Sequence, residues 1–367
     1  MLLLAPLSAS AQSLGEGVGT LIASLDTAAL EESLQQADPF AKTGGFQATL
    51  TAIAKGEISI DFDQVAQLLT AEFFSAVRKS LWRLTRLMAP ALIWSILRRL
   101  TGSSSETGQV ICQLCVCIFL TCDLTEHIAL ATDAVTRMDD GMQGLFPMLL
   151  TMMAAVGGSS GSALMQPAIV ASASTMTSLI REVTVPLATA SAILVMLCHL
   201  GTGIRLNRLA AFVQQCATWS LGVCFTIFIG VLTTRSVTAA AIDGVTLRTA
   251  KYALGNLIPV VGGLFADTVD TLVGSGMLVQ GALGVTGFIL IGAYAMGPMC
   301  QTLACAMMYR LAAALMQPVS DGQLASCIHD FGRVLMLLFI IQLCAAAMFL
   351  MLIAQLISVS SMTMMLR

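Results

Sequence analysis

Apolar residues in this chain gather into long uncharged blocks rather than short alternating runs, a pattern that predicts membrane-length helices. From Ser13 to Ser80 the spacing is instead that of polar, amphipathic helices. Leu21, Leu25, Leu30 and Leu34 recur among acids, and Val65, Leu68, Leu69, Phe73 and Phe74 follow at helical intervals. Between them Ile58–Phe62 alternates like a strand or an extended linker. The first block is short: 11 uncharged residues, Leu87 to Leu97, between Arg83 and Arg86 on one side and Arg98 and Arg99 on the other. It reads as a short span whose arginine stems snorkel, with an amphipathic helix on the membrane surface as the alternative. Thr107 to Cys122 forms the next apolar stretch and continues past Asp123 and Glu126 to Ala134, with its polar residues expected to face protein.

A run of 40 uncharged residues extends from Gly141 to Ile180. Gly157-Gly158-Ser159-Ser160-Gly161-Ser162 interrupts it, and Pro147 and Pro167 bracket the interruption. A re-entrant hairpin whose Gly/Ser tip lines a polar space fits, as does one kinked span packed through small residues. Spans over Val183–Ile204 and Leu209–Thr234 follow, joined by the basic turn Arg205–Arg208, which the positive-inside rule assigns to the cytoplasm. An acidic loop holding Asp123, Glu126, Asp133, Asp139 and Asp140 would suit the opposite side. His199, near a span end, reads as a hydrogen-bonded structural histidine ahead of a proton relay.

The segment from Ala241 to Asp321 organises the rest. Thr271 to Tyr309 is 39 residues without a charge, too long for one simple span and punctuated by Gly274, Gly276, Gly281, Gly284 and Gly287. The expectation is a span with a re-entrant piece, or two passes with an uncharged turn. Upstream, Pro259 and Gly262-Gly263 predict a helix break over Ile258–Gly263. A helix starting near Leu264 would carry Asp267 and Asp270 near its N-terminus, where carboxylates are favoured. Arg248 and Lys251, before the break, would meet lipid headgroups or a partner. A polar connection, Ser320–Arg333, leads to a last run of 33 uncharged residues, Val334–Leu366. Ala-Leu-Met-Gln-Pro occurs at Ala163–Pro167 and Ala314–Pro318, an echo for which chance is the simpler explanation.

Composition sharpens the class. The 367 residues are 57% hydrophobic and 11% charged, against about 45–50% and 25% for soluble domains. Residues 13–80 hold 9 of 21 acids and 4 of 18 bases, so one wet and one lipid-embedded compartment are implied. A net charge of −3 without basic clusters excludes a nucleic-acid partner. Residues 1–11 resemble a secretory signal remnant, with Leu2–Leu4 and Ala9-Ser10-Ala11 as a cleavage site, so 12–80 would be extracytoplasmic; the alternative is an apolar, disordered N-terminus. All 11 cysteines lie at or beyond Cys112, within or beside apolar segments, and read as small apolar side chains rather than metal ligands. No nucleotide loop, zincin helix or nucleophile elbow occurs, so no catalytic residue, cofactor or metal is assigned.

The succession Asp243-Gly244, Lys251, Ile258–Gly262, Asp267 with Asp270, Gly284 and Tyr309–Ala314 closed by Pro318 resembles the C-terminal half of the stage III sporulation protein AE family. The likeness extends over most of the chain, with Gln280 in place of a lysine and Gly297-Pro298 in place of an aromatic-proline pair. The expected fold is therefore an all-α polytopic membrane protein of about 6–8 segments, some Gly-broken or re-entrant. Residues 81–367 form its membrane domain, with 81–204 and 205–367 as candidate halves. The resemblance implies a non-enzymatic channel or secretion-like component in the mother-cell membrane surrounding the forespore, permease-like or export-gate-like. It also implies other stage III sporulation proteins as partners, including an ATPase and ring-forming subunits, and a forespore-side protein. The rival from the residues alone is a self-sufficient transporter of a small solute or ion.

Overall fold

The computed structural model describes residues 50–53, 62–101, 106–155, 171–199, 206–257, 262–318 and 322–365. Among them are six long helices and no strand. They are α1 Phe62–Thr101, α2 Glu106–Ala155, α3 Ala171–His199, α4 Asn207–Leu257, α5 Gly262–Met316 and α6 Gly322–Met365. Within α3, Ile180–Thr184 is a π-turn. Five stretches are long and apolar enough to cross a membrane: Val110–Thr151, Ala171–His199, Asn207–Thr233, Ser275–Met316 and Leu324–Gln355. This is an all-α polytopic membrane protein. Its five candidate spans among the described residues compare with the 6–8 segments expected from sequence.

Helix is what lipid demands, because every backbone N–H and C=O must be satisfied within the segment. That constraint overrides local signals in several places. The Thr271–Tyr309 run neither turns nor re-enters: it lies inside the single 55-residue α5. Its glycines each cost about 1 kcal/mol of helix propensity, but Gly284 faces Ile357 of α6. A Cβ at Gly287 would lie 2.9 Å from Leu145 of α2 and 3.5 Å from Ile353 of α6. Close packing through small residues replaces the hydrophobic drive that lipid does not supply between helices.

The expected acidic loop is likewise helix, the middle of the 50-residue α2. Pro147 sits inside that helix and residues 141–155 continue α2, while the Gly157–Ser162 tip of the expected hairpin and Pro167 lie outside the described residues. The polar connection Ser320–Arg333 is helical from Gly322 onward. α1 passes from residue 80 to 81 without interruption and is not one of the five span-length apolar stretches. α4 ends at Leu257 and α5 begins at Gly262; residues 258–261 lie outside the described residues.

At the centre, α5 and α6 form an antiparallel hairpin and pack more extensively than any other pair. Its register is fixed by Gly284 against Ile357, Gln342 Nε2 donating to Thr302 Oγ1 at 3.3 Å, and the Tyr309 and Phe331 rings edge to face at 5.1 Å. A Cβ at Gly332 would lie 3.3 Å from the Ala306 carbonyl, so the two backbones nearly touch there. α2 runs antiparallel to α5: Asp123 meets Tyr309, Gly141 meets Tyr294, and Leu145 meets Gly287. Met138, Met142, Leu145 and Leu149 bury the inner face of α2. α3 and α4 close the other side, through Thr184 with Ser220 at 3.4 Å and His199 Nε2 with Asp330 at 3.8 Å.

Candidate functional site

These contacts place residues 123–145 of α2 beside 309–287 of α5 and, through the hairpin, beside 331–353 of α6. Over that depth α5 carries no charge after Thr271 and before Arg310, and α6 carries none after Arg333. α2 carries Asp123, Glu126, Asp133, Arg137, Asp139 and Asp140. The sequence calls for charge in α2 exactly where its neighbours are most apolar; the contrast defines the site.

The charges divide by face. Asp123 points inward and accepts a hydrogen bond from the buried Tyr309 hydroxyl. Glu126, Asp133, Arg137, Asp140 and Gln143 are exposed, and Pro147 continues the stripe. Steps of seven, four and three residues keep these positions on one helical face. Two of the acids are paired within the chain. Arg83 of α1 bridges to Glu126, the side chains 27% and 58% exposed, and Arg137 Nε donates to Asp133 at 2.8 Å. Arg83 also approaches His127 Nε2 at 3.5 Å. With Nε2 accepting, the His127 proton lies on Nδ1, which is buried without a hydrogen-bond partner among the described residues.

Asp139 is half-buried between α2 and α3. It accepts from Gln143 Nε2 at 3.2 Å and lies within reach of Thr177 and the Arg181 charge. Arg181 and Glu182 are exposed on the π-turn, where the Val185 N–H bonds back to Ile180 and one residue is in effect inserted. The inserted turn also brings the Thr184 hydroxyl to Ser220 of α4.

A charge at bilayer mid-depth costs about 2.5–3.5 kcal/mol on insertion scales, so such a stripe is not a lipid-facing surface. On α4, by contrast, Phe212, Trp219, Val223 and Ile227 form an exposed apolar surface. On α2 itself the exposed surface is apolar at Ile111, Ile118 and Phe119 and becomes charged from Glu126 onward.

Of the candidates named from sequence, Pro147 lies on this stripe and Gly284 at the α5–α6 contact. Asp243, Gly244, Arg248 and Lys251 fall in the helical backbone of α4, and Gly262, Asp267 and Asp270 in the opening turns of α5; the side chains of all seven lie outside the described residues. Gly157, Gly158, Gly161, Pro167 and Pro259 lie outside the described residues altogether. Pro318 is exposed in the turn after α5. His199 Nδ1 donates to the Val195 carbonyl at 2.8 Å. Arg83, Arg137 and Arg181 were not singled out as a constellation with the α2 acids. The recoverable signal was the spacing of Glu126, Asp133 and Asp140, seven apart along a single helix.

Comparison with known proteins adds two matches. The sequence profile of the Stage III sporulation protein AE family matches residues 45–360. The Stage III sporulation protein AE of Bacillus subtilis (strain 168) is 32% identical over 243 residues, covering 66% of this chain and 61% of the relative. The chain thus spans about three fifths of that relative's length. No solved structure matches. Both matches are to sporulation proteins and neither is to an enzyme family. With the profile running from before α1 almost to the end of α6, the chain belongs to the stage III sporulation protein AE family.

Proposed function

We propose that this chain is a non-enzymatic, multi-pass component of a channel or secretion-like complex that joins mother cell and forespore during endospore development. In this reading it sits in the mother-cell membrane surrounding the forespore and acts as a permease-like or export-gate subunit. Its partners would be other stage III sporulation proteins, an ATPase and ring-forming subunits among them, and a protein on the forespore side. The observation that carries the reading is the charged outward stripe of α2 beside the uncharged stretches of α5 and α6. A chain that worked alone in lipid would leave that stripe against acyl chains, whereas a subunit covers it.

Affinity recovery of the tagged chain from sporulating cells tests this reading. Co-recovery of the operon's other membrane proteins and of an ATPase is expected. Ion-gradient-driven solute uptake by the purified chain in liposomes, with no partner present, would overturn it in favour of a self-sufficient transporter.

A further inference from the structure

We infer that the outward face of α2 between Glu126 and Pro147 receives a partner's transmembrane helix bearing an arginine at mid-depth. This rests on the reading of the chain as a subunit and names the chemistry of what covers it. Three observations narrow the occupant. First, lipid is excluded by the charges. Second, the face carries three acids, Glu126, Asp133 and Asp140, to two bases, Arg137 of α2 and Arg83 of α1, so the same face of a second copy would add another unpaired acid and no free base.

Third, the balance left after internal pairing is specific. Arg83 neutralises Glu126 and Arg137 neutralises Asp133. Asp140 is exposed, stands next to Asp139 and has no ion pair among the described residues. Pro147 is exposed on the same stripe and has no N–H, so it cannot donate to the Gln143 carbonyl as a helix requires. One carboxylate and one carbonyl that lacks its helical donor therefore lie about a turn apart. A guanidinium, planar and with five donors, can serve both; an ammonium is a single compact charge. Arginine is the cation that matches.

The test uses fluorescently labelled full chain in liposomes and synthetic leucine-alanine transmembrane peptides with arginine, lysine, glutamine or leucine at the centre, association being read by energy transfer. The arginine peptide should bind about tenfold more tightly than the glutamine and leucine peptides, the effect of one partly desolvated ion pair. Asp140→Asn should remove the preference and Asp140→Glu should keep it. Equal binding of arginine and leucine peptides would overturn the proposal. Energy transfer between two labelled copies that Asp140→Asn abolishes would also overturn it, because the occupant would then be a second copy. Labelling of Gln143→Cys by a membrane-impermeant thiol reagent, undiminished by the bound arginine peptide, would overturn it in favour of a water-filled lumen. Loss of the arginine preference alongside normal partner recovery from cells would sink this inference and leave the subunit reading standing; autonomous solute uptake would sink that reading instead.

Discussion

Across 186 residues of sequence, the Tyr309 hydroxyl of α5 donates to the Asp123 carboxylate of α2, while the Tyr309 ring packs edge-on to Phe331 of α6. One side chain thus ties three helices, with a polar tip on one and an aromatic body on another. Removing the hydroxyl strands a carboxylate, and hydrogen bonds to charged groups are worth about 1.5–3 kcal/mol. Tyr309→Phe should therefore destabilise the bundle by about that amount in detergent unfolding titrations. Asp123→Asn combined with Tyr309→Phe should cost less than the sum of the two. Strict additivity would show that the two side chains are not coupled.

Gly332 and Gly281 make opposite predictions for the same substitution. A Cβ at Gly332 meets Arg310 Cγ at 3.1 Å and the Ala306 carbonyl at 3.3 Å, whereas nothing lies within 4 Å of one at Gly281. Gly332→Ala should cost about 1–3 kcal/mol through overpacking. Gly281→Ala should be neutral or stabilising by up to about 1 kcal/mol, because alanine is the better helix former. Equal effects at the two sites, measured by thermal unfolding, would contradict the close α5–α6 approach.

The π-turn at Ile180–Thr184 behaves as a one-residue insertion. Deleting the exposed Val183 should convert it to ordinary helix and leave the faces on either side where they are. His199 would then stay near Asp330, and a His199→Cys, Asp330→Cys pair should still crosslink in the deletion background. Deleting the exposed Ala190 instead should rotate everything after it by about 100° and abolish the crosslink. Crosslinking that survives both deletions, or neither, would refute the insertion account.

Charge reversal at Arg248 and Lys251 should weaken recovery of partner proteins while membrane insertion, read by alkaline extraction, is unchanged. The motivation is their sequence position just before the end of α4 at Leu257. Undiminished partner recovery with Arg248→Glu and Lys251→Glu would remove them from the assembly surface.

Helicity and the presence of several membrane-length apolar helices were readable from block length, since lipid permits little else. Continuity was not. The glycines of Thr271–Tyr309 advertise a break, yet what decides the outcome is whether another helix comes close enough to use them, and Ile353, Ile357 and Leu145 are remote in sequence. The α2 acids misled for the same reason. As a local string, Asp123 to Asp140 looks like solvent-facing loop; its stability within a helix depends on Arg83, Tyr309 and Arg181, each on a different helix. Periodicity reports the face a residue occupies and says nothing of the partner waiting there.

α5 rises about 1.5 Å per residue over its 55 residues, which makes it a rod of about 80 Å against a hydrocarbon layer of about 30 Å. Pro298 deprives the Tyr294 carbonyl of its helical donor and so marks the point of least bending stiffness, with a long arm of 36 residues on its N-terminal side. A bend of about 15° there sweeps the far end of that arm through about 14 Å. Gly284 against Ile357 and Gly287 against Leu145 lie on that arm, so such a bend would have to part α5 from its neighbours at both glycines before the end beside Gly262 could swing.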